Sequence, residues 1–169
     1  MFNSTPPLPA ACKAAYPVDE AWRCWMAPYV APYVREPIFA VQSRFDEFQL
    51  QCLLAVPCCQ GQSYAPPFTP AHCNTTELAA VKRFGAALLE QMQPFFKAKP
   101  ESGAWLVSCI QHNVVCDMHN TTEEEAFTSW LHGGPLGKDI AYRWIDNCGA
   151  GGDGDTPCDK GAFCAPPHF

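Results

Sequence analysis

The sequence contains no apolar run long enough to cross a bilayer, which argues against a helical membrane span. It has no Lys/Arg-rich tract either. Eleven basic residues stand against 17 acidic ones and the formal net charge is −6, which argues against nucleic acid or an anionic membrane as partner. Charge of both signs is scarce, at 17% of 169 residues, while aromatics reach 12% and prolines number 17. That balance describes a compact, loop-rich chain rather than a disordered one. No two cysteines have the CxxC spacing of common structural zinc sites, and Cys58-Cys59 are adjacent. There is no internal repeat and no G-x-S-x-G. The opening MFNSTPPLPAACKAAYP has no basic segment followed by an apolar one, so it is not a signal peptide.

What is abundant is cysteine. The eleven are Cys12, Cys24, Cys52, Cys58, Cys59, Cys73, Cys109, Cys116, Cys148, Cys158 and Cys164. Such density points to disulfides and an extracellular or secretory compartment. An odd number leaves one thiol free, paired with another chain, or paired with sequence outside this one. Three sequons, at Asn3, Asn74 and Asn120, mark candidate N-glycan acceptors and agree with that compartment. Secretory chemistry without a secretory leader is reconciled by an N-terminus upstream of Met1.

Residues 1–17 are expected to be an irregular N-terminal segment. Over residues 18–26, Trp22 and Trp25 stand three apart, which predicts one helical face packed into a core. Ile38-Phe39-Ala40-Val41 reads as a buried strand that breaks into Gln42-Ser43-Arg44-Phe45-Asp46, with residues 47–54 turning helical. Residues 57–73 read as a disulfide-held surface loop. Thr75 or Thr76 is expected to cap the longest helix. Its stripe runs Leu78, Val81, Gly85, Leu88, Met92 and Phe95, with Gly85 marking close packing and Pro94 stopping or kinking the last turn. Residues 104–108 form a second buried strand. Thr122 and Glu125 predict a capping box, and a last helix is expected over residues 138–147. The Gly/Cys-rich tail, residues 148–169, holds Asp153-Gly154-Asp155, which lacks the spacing of a calcium loop. Alternating strands and helices predict an α/β fold. Two strands are too few for a doubly wound sheet, so part of the domain is expected to lie outside the sequence.

Open α/β sheets keep their chemistry beyond the strand ends. Asp46 and His112 each follow a buried strand, in the order of the last two members of a Ser…Asp…His relay. The histidine would take a proton from a serine hydroxyl, and the carboxylate would fix its tautomer and stabilise the imidazolium. The third member is missing. Ser4 and Ser43 precede Asp46 without a Gly-flanked turn, and Ser108 comes in the wrong order and reads as a buried polar residue. Gly133-Gly134-Pro135 follows the histidine and so does not supply an early oxyanion loop. Weaker alternatives are a metal cluster of His112, Cys116 and His119, and Cys109 as a nucleophile beside His112. His72 lies beside Cys73, His132 at a helix end, and His168 in the tail.

Four segments in order resemble the C-terminal portion of the pectin acetylesterase/Notum family of extracellular α/β-hydrolases. They are Trp22-Arg23-Cys24 to Ala31-Pro32-Tyr33; Pro37 to Asp46 with Phe48-Gln49-Leu50; Gly103 to His112; and Trp130 followed by Gly137, Ile140 and Trp144. The resemblance covers residues 18–147, of which residues 18–146 carry the matches. It implies the C-terminal part of an α/β-hydrolase-like sheet with flanking helices and disulfide-rich loops. It implies Asp46 as catalytic acid, His112 as catalytic base, and no cofactor or metal. Cys24, Cys73 and Cys109 resemble family structural cysteines. A cysteine commonly follows the family's catalytic histidine directly, whereas Asn113 stands here and Cys116 comes later. The family's serine and oxyanion loop belong to a preceding half with no counterpart in this chain. The implied activity is carboxylic-ester hydrolysis, removing O-acetyl groups from an acetylated cell-wall or extracellular polysaccharide. The Notum branch would instead take an acylated extracellular protein. A secreted binding or structural domain on the same scaffold, or a truncated gene product with exposed strand faces, are the non-enzymatic alternatives.

Overall fold

The computed structural model describes residues 8–59, 73–112, 114, 117–118, 121–133 and 142–146. The sequons at Asn3 and Asn120, His72, Cys116, His119, Gly134, the Asp153-Gly154-Asp155 run and the tail with His168 lie outside the described residues.

Among the described residues three parallel strands form a sheet: β1 (Phe39–Phe45), β2 (Gly103–Ile110) and β3 (Arg143–Ile145), in the order β1-β2-β3. Before β1 come α1 (Ala10–Ala15), a 3-10 helix (Val18–Trp25), α2 (Ala27–Val30) and a 3-10 turn (Ala31–Tyr33). The long helix α3 (Thr75–Ala98) connects β1 to β2, and α4 (Glu123–Leu131) lies between β2 and β3. No helix among the described residues is long and apolar enough to cross a membrane.

Every residue of β2 is buried. Its side chains alternate as a strand requires. Trp105, Val107 and Cys109 pack with Met118, Ala126 and the partly buried Phe39 and Trp144. Ala104 and Leu106 pack with Phe95 and Phe96 at the end of α3. Of the two strands where a fragment without a stable fold would expose apolar faces, residues 104–108 are wholly buried, whereas residues 38–40 are partly buried and Val41 is exposed.

Several expectations need correction. The α1 helix stands where residues 10–15 were expected to be irregular, and the Cys12–Cys24 disulfide ties it to the following 3-10 helix. In that helix Trp22 and Trp25 do share a side, because three residues make one turn. The side faces solvent, each tryptophan being 52% exposed, and the buried residue is Cys24. Residues 42–45 continue β1 instead of breaking from it, because the polar groups of Ser43 and Arg44 find hydrogen-bond partners within the fold. Residues 143–145 of the expected last helix are the strand β3.

The cap of α3 is Asn74 rather than a threonine. Its side chain accepts from the N–H groups of Thr76 and Glu77, and Glu77 reaches back to the Asn74 N–H, completing a capping box. The helix continues through Pro94 to Ala98. The missing proline N–H forfeits one helical bond, and burial of Phe95 and Phe96 in the following turn offsets it. The Thr122–Glu125 capping box opens α4 as expected. Gly85 does mark a close approach: a Cβ there would lie 2.6 Å from Cζ of Phe45, in the last residue of β1.

Candidate active site

The β1–β2 ladder slips near its end. Ser43 pairs with Val107 and Phe45 with Ile110, so two steps along β1 match three along β2. The bulge therefore lies in β2, and bulges of this kind re-aim the residues that follow. The Ser43 hydroxyl bridges it. Its Oγ donates to the Cys109 carbonyl at 2.5 Å and accepts from the Phe45 N–H at 3.0 Å. Ser43→Ala is expected to leave both buried backbone groups short of a partner and to cost about 1–3 kcal/mol, read by urea unfolding. An unchanged midpoint would mean that water takes the hydroxyl's place.

Beyond the bulge the two strands deliver Asp46 and His112 to one spot. His112 Nδ1 lies 2.9 Å from Asp46 Oδ2. The Asp46 carboxylate is almost wholly buried, its residue 2% exposed, whereas the imidazole is 61% exposed. Asp46 Oδ1 accepts the Gln49 N–H at 2.8 Å, at the start of a π-helical turn over Gln49–Leu53. Gln42 Nε2 donates to Oδ2 at 3.2 Å. The Glu47 N–H approaches the Gln111 carbonyl at 3.5 Å, linking the two strand-end segments. The half-exposed Phe48 ring packs beside the imidazole, its centroid 5.6 Å away.

This arrangement has a defined chemical capacity. A carboxylate only accepts, so neutral His112 carries its proton on Nδ1 and its lone pair on Nε2. Nε2 lies at the other end of an exposed ring, where it can take a proton from a hydroxyl and return it.

Among the described residues the other candidates do not join this pair; Cys116 and His119, the expected metal partners of His112, lie outside them. Ser43 is occupied at the bulge. Ser108 is buried; its Oγ donates to the Asp146 carbonyl at 2.6 Å and accepts from Arg44 Nη1 at 3.2 Å. Cys109 is disulfide-bonded, so it has no thiol to attack with. Cys58 pairs with Cys73. Cys52 and Cys59 are free, and burial, with Glu77 and Glu47 adding to it, pushes the Cys59 thiol up to about 11. Among the described residues the one potential metal-ligand group is Cys58, Cys73 and Glu77, and its two cysteines are that disulfide. His132 ends α4, and Gly133 beside it has a positive φ of 61°.

The sequence places Gln42, Phe48 and Gln49 inside the matching segments without giving them a role at the site. An aspartate directly before a helical turn is a recognisable cap, and that signal was available for Gln49. Gln42 and Phe48 carry no such signal.

The family model described as "PAE: Pectinacetylesterase" matches residues 2–149. Among curated proteins, the chain is 26% identical over 110 residues to the palmitoleoyl-protein carboxylesterase NOTUM of Schmidtea mediterranea, covering 65% of this chain and 18% of that protein. It is 25% identical over 114 residues to pectin acetylesterase 7 of Arabidopsis thaliana, covering 66% of this chain and 28% of that protein. The chain thus spans under a third of the length of either relative. Among solved structures it resembles the Wnt deacylase Notum from Drosophila, with a TM-score of 0.54 and 24% identity over 74% of this chain and 32% of that one. That likeness shows the fold alone, part of an α/β-hydrolase-like sheet, and the parallel strands, flanking helices and disulfides described above agree with it.

Proposed function

The chain belongs to the pectinacetylesterase family, and from that premise we propose that it is the acid–base portion of a secreted serine carboxylic-ester hydrolase. The observation that carries the reading is the 2.9 Å pairing of buried Asp46 with exposed His112. The serine belongs to sequence outside this chain. Its hydroxyl attacks the ester carbonyl while His112 Nε2 takes the proton. The tetrahedral intermediate collapses as His112 returns the proton to the leaving alcohol. Water then attacks the acyl-enzyme by the same route, and the carboxylic acid leaves. Asp46 holds the imidazole and balances its transient positive charge.

The substrate proposed is an O-acetylated extracellular polysaccharide. A second reading, removal of a fatty acyl group from an extracellular protein, is favoured by the Phe48 ring, an apolar wall beside His112. Secretion agrees with the Cys12–Cys24 and Cys58–Cys73 disulfides. Asn74 is exposed and caps α3 through Oδ1, which leaves Nδ2 available for a glycan. The test is product release by protein carrying both this chain and the serine-bearing half. Acetate from acetylated pectin supports the first substrate, and fatty acid from a palmitoleoylated peptide supports the second. Release of neither would favour a secreted binding or structural domain.

A further inference from the structure

The Asp46 carboxylate is held by more than the histidine. Gln42 Nε2 lies 3.2 Å from Oδ2, the same oxygen that His112 Nδ1 meets at 2.9 Å, while the Gln49 N–H holds Oδ1. We propose that Gln42 is a positioning residue for the acid–base pair: its amide holds Oδ2, which fixes the rotation of the Asp46 carboxylate and thereby the tautomer of His112. The purpose assigned to this contact rests on the hydrolase reading; the contact does not.

A carboxylate bonded through one oxygen still swings its other oxygen about the Cβ–Cγ bond. Gln49 donates to Oδ1 from the turn that follows the strand, and Gln42 donates to Oδ2 from within β1. The plane is thus set by two neutral donors, independently of the imidazole. Because the carboxylate only accepts, the Gln42 amide presents its NH2 and not its carbonyl. Sequence spacing alone does not produce the contact. Four residues of extended strand cover about 13 Å, beyond the combined reach of the two side chains. The strand ends at Phe45 and helical backbone begins at Glu47, so Asp46 sits in the turn out of β1, and the 3.2 Å contact with Gln42 is made there. A buried carboxylate at 2% exposure has little water to replace a lost donor, so loss of the amide loosens the carboxylate.

The test reads the tautomer of His112 in this chain, from imidazole nitrogen chemical shifts at alkaline pH, with thermal unfolding measured in parallel. Gln42→Met keeps the length and removes the donor. It is expected to lower the ratio of Nδ1–H to Nε2–H tautomer by about fivefold, a part of the weight of one hydrogen bond to a charged group. Gln42→Leu, which also lacks a donor, is expected to lower the ratio as far. Gln42→Asn, one methylene shorter, should fall between wild type and Gln42→Met. If Gln42→Met does not fold, Gln42→Leu and Gln42→Asn carry the comparison. An unchanged ratio in a folded variant overturns the proposal, because a merely structural glutamine would alter stability and leave the tautomer alone. Failure of the hydrolase reading looks different: no ester is cleaved, yet the tautomer still responds to Gln42.

Discussion

His112→Ala, in protein that includes the serine-bearing half, is expected to lower kcat/KM for an activated acetate ester by about four to six orders of magnitude. The size follows from what the imidazole would do. Without it the attacking hydroxyl keeps its proton and the leaving alcohol receives none, and only binding and oxyanion stabilisation remain. Asp46→Asn is expected to fall nearly as far. An amide in place of the carboxylate can present its NH2 to Nδ1 and so favour the proton on Nε2, the nitrogen that must be free. The double variant should be little worse than either single one, because the two residues act as a unit. KM should change little, since neither side chain is asked to bind the ground state. The 169-residue chain by itself should give no burst of alcohol from the same ester. Its Ser43 and Ser108 hydroxyls are engaged inside the fold, and Cys109 is a disulfide. A stoichiometric burst that vanishes in His112→Ala would overturn the placement of the nucleophile outside the chain.

The placement of Asp46 and His112 after two strands was legible because each strand opens with an uninterrupted apolar run, although in β1 that run is only partly buried and the buried residues are Ser43, Arg44 and Phe45. The length of β1 was not, because Gln42, Ser43 and Arg44 look like the end of a buried segment. They remain in the strand through contacts made far along the chain: Ser43 to Cys109, and Arg44 to Ser108 and the Asp146 carbonyl. Local pattern carries no trace of such partners. Residues Ile140, Ala141, Trp144 and Ile145 have helical spacing, yet a three-residue strand is too short to show a period of its own, and β3 takes its conformation from pairing with β2. The tryptophan pair shows a subtler failure. Spacing gave the shared side of Trp22 and Trp25 correctly, but spacing does not say whether that side is covered. The Asp46–His112 contact shows the reverse. Each residue could be nominated from sequence, whereas the bulge that brings them together could not, since it arises from a mismatch between two strands read separately.

Phe45→Ala is expected to destabilise the chain by about 3–5 kcal/mol in urea unfolding, and to disturb the pair with it. Phe45 is fully buried, packs with Leu50, Val56, Val81 and Ile110, and sits against the helix at Gly85. It is also the residue before Asp46, so the ring that seals α3 onto the sheet anchors the start of the site. Gly85 is where two rules compete. In an exposed helix Gly→Ala would stabilise by up to about 1 kcal/mol. Here the added methyl meets the Phe45 ring, and overpacking costs about 1–3 kcal/mol, so Gly85→Ala is expected to destabilise. The two substitutions should couple. With the ring removed, the Gly85→Ala methyl enters the vacated space, and the double variant should be more stable than the sum of the singles by about 1 kcal/mol or more. Strict additivity would separate the Phe45 ring from Gly85 and remove the packing account of why this helix carries a glycine at its buried face. If coupling is found, the His112 tautomer should follow it: displaced in Phe45→Ala and in Gly85→Ala, and partly restored in the double variant, because the same ring fixes the backbone from which Asp46 projects.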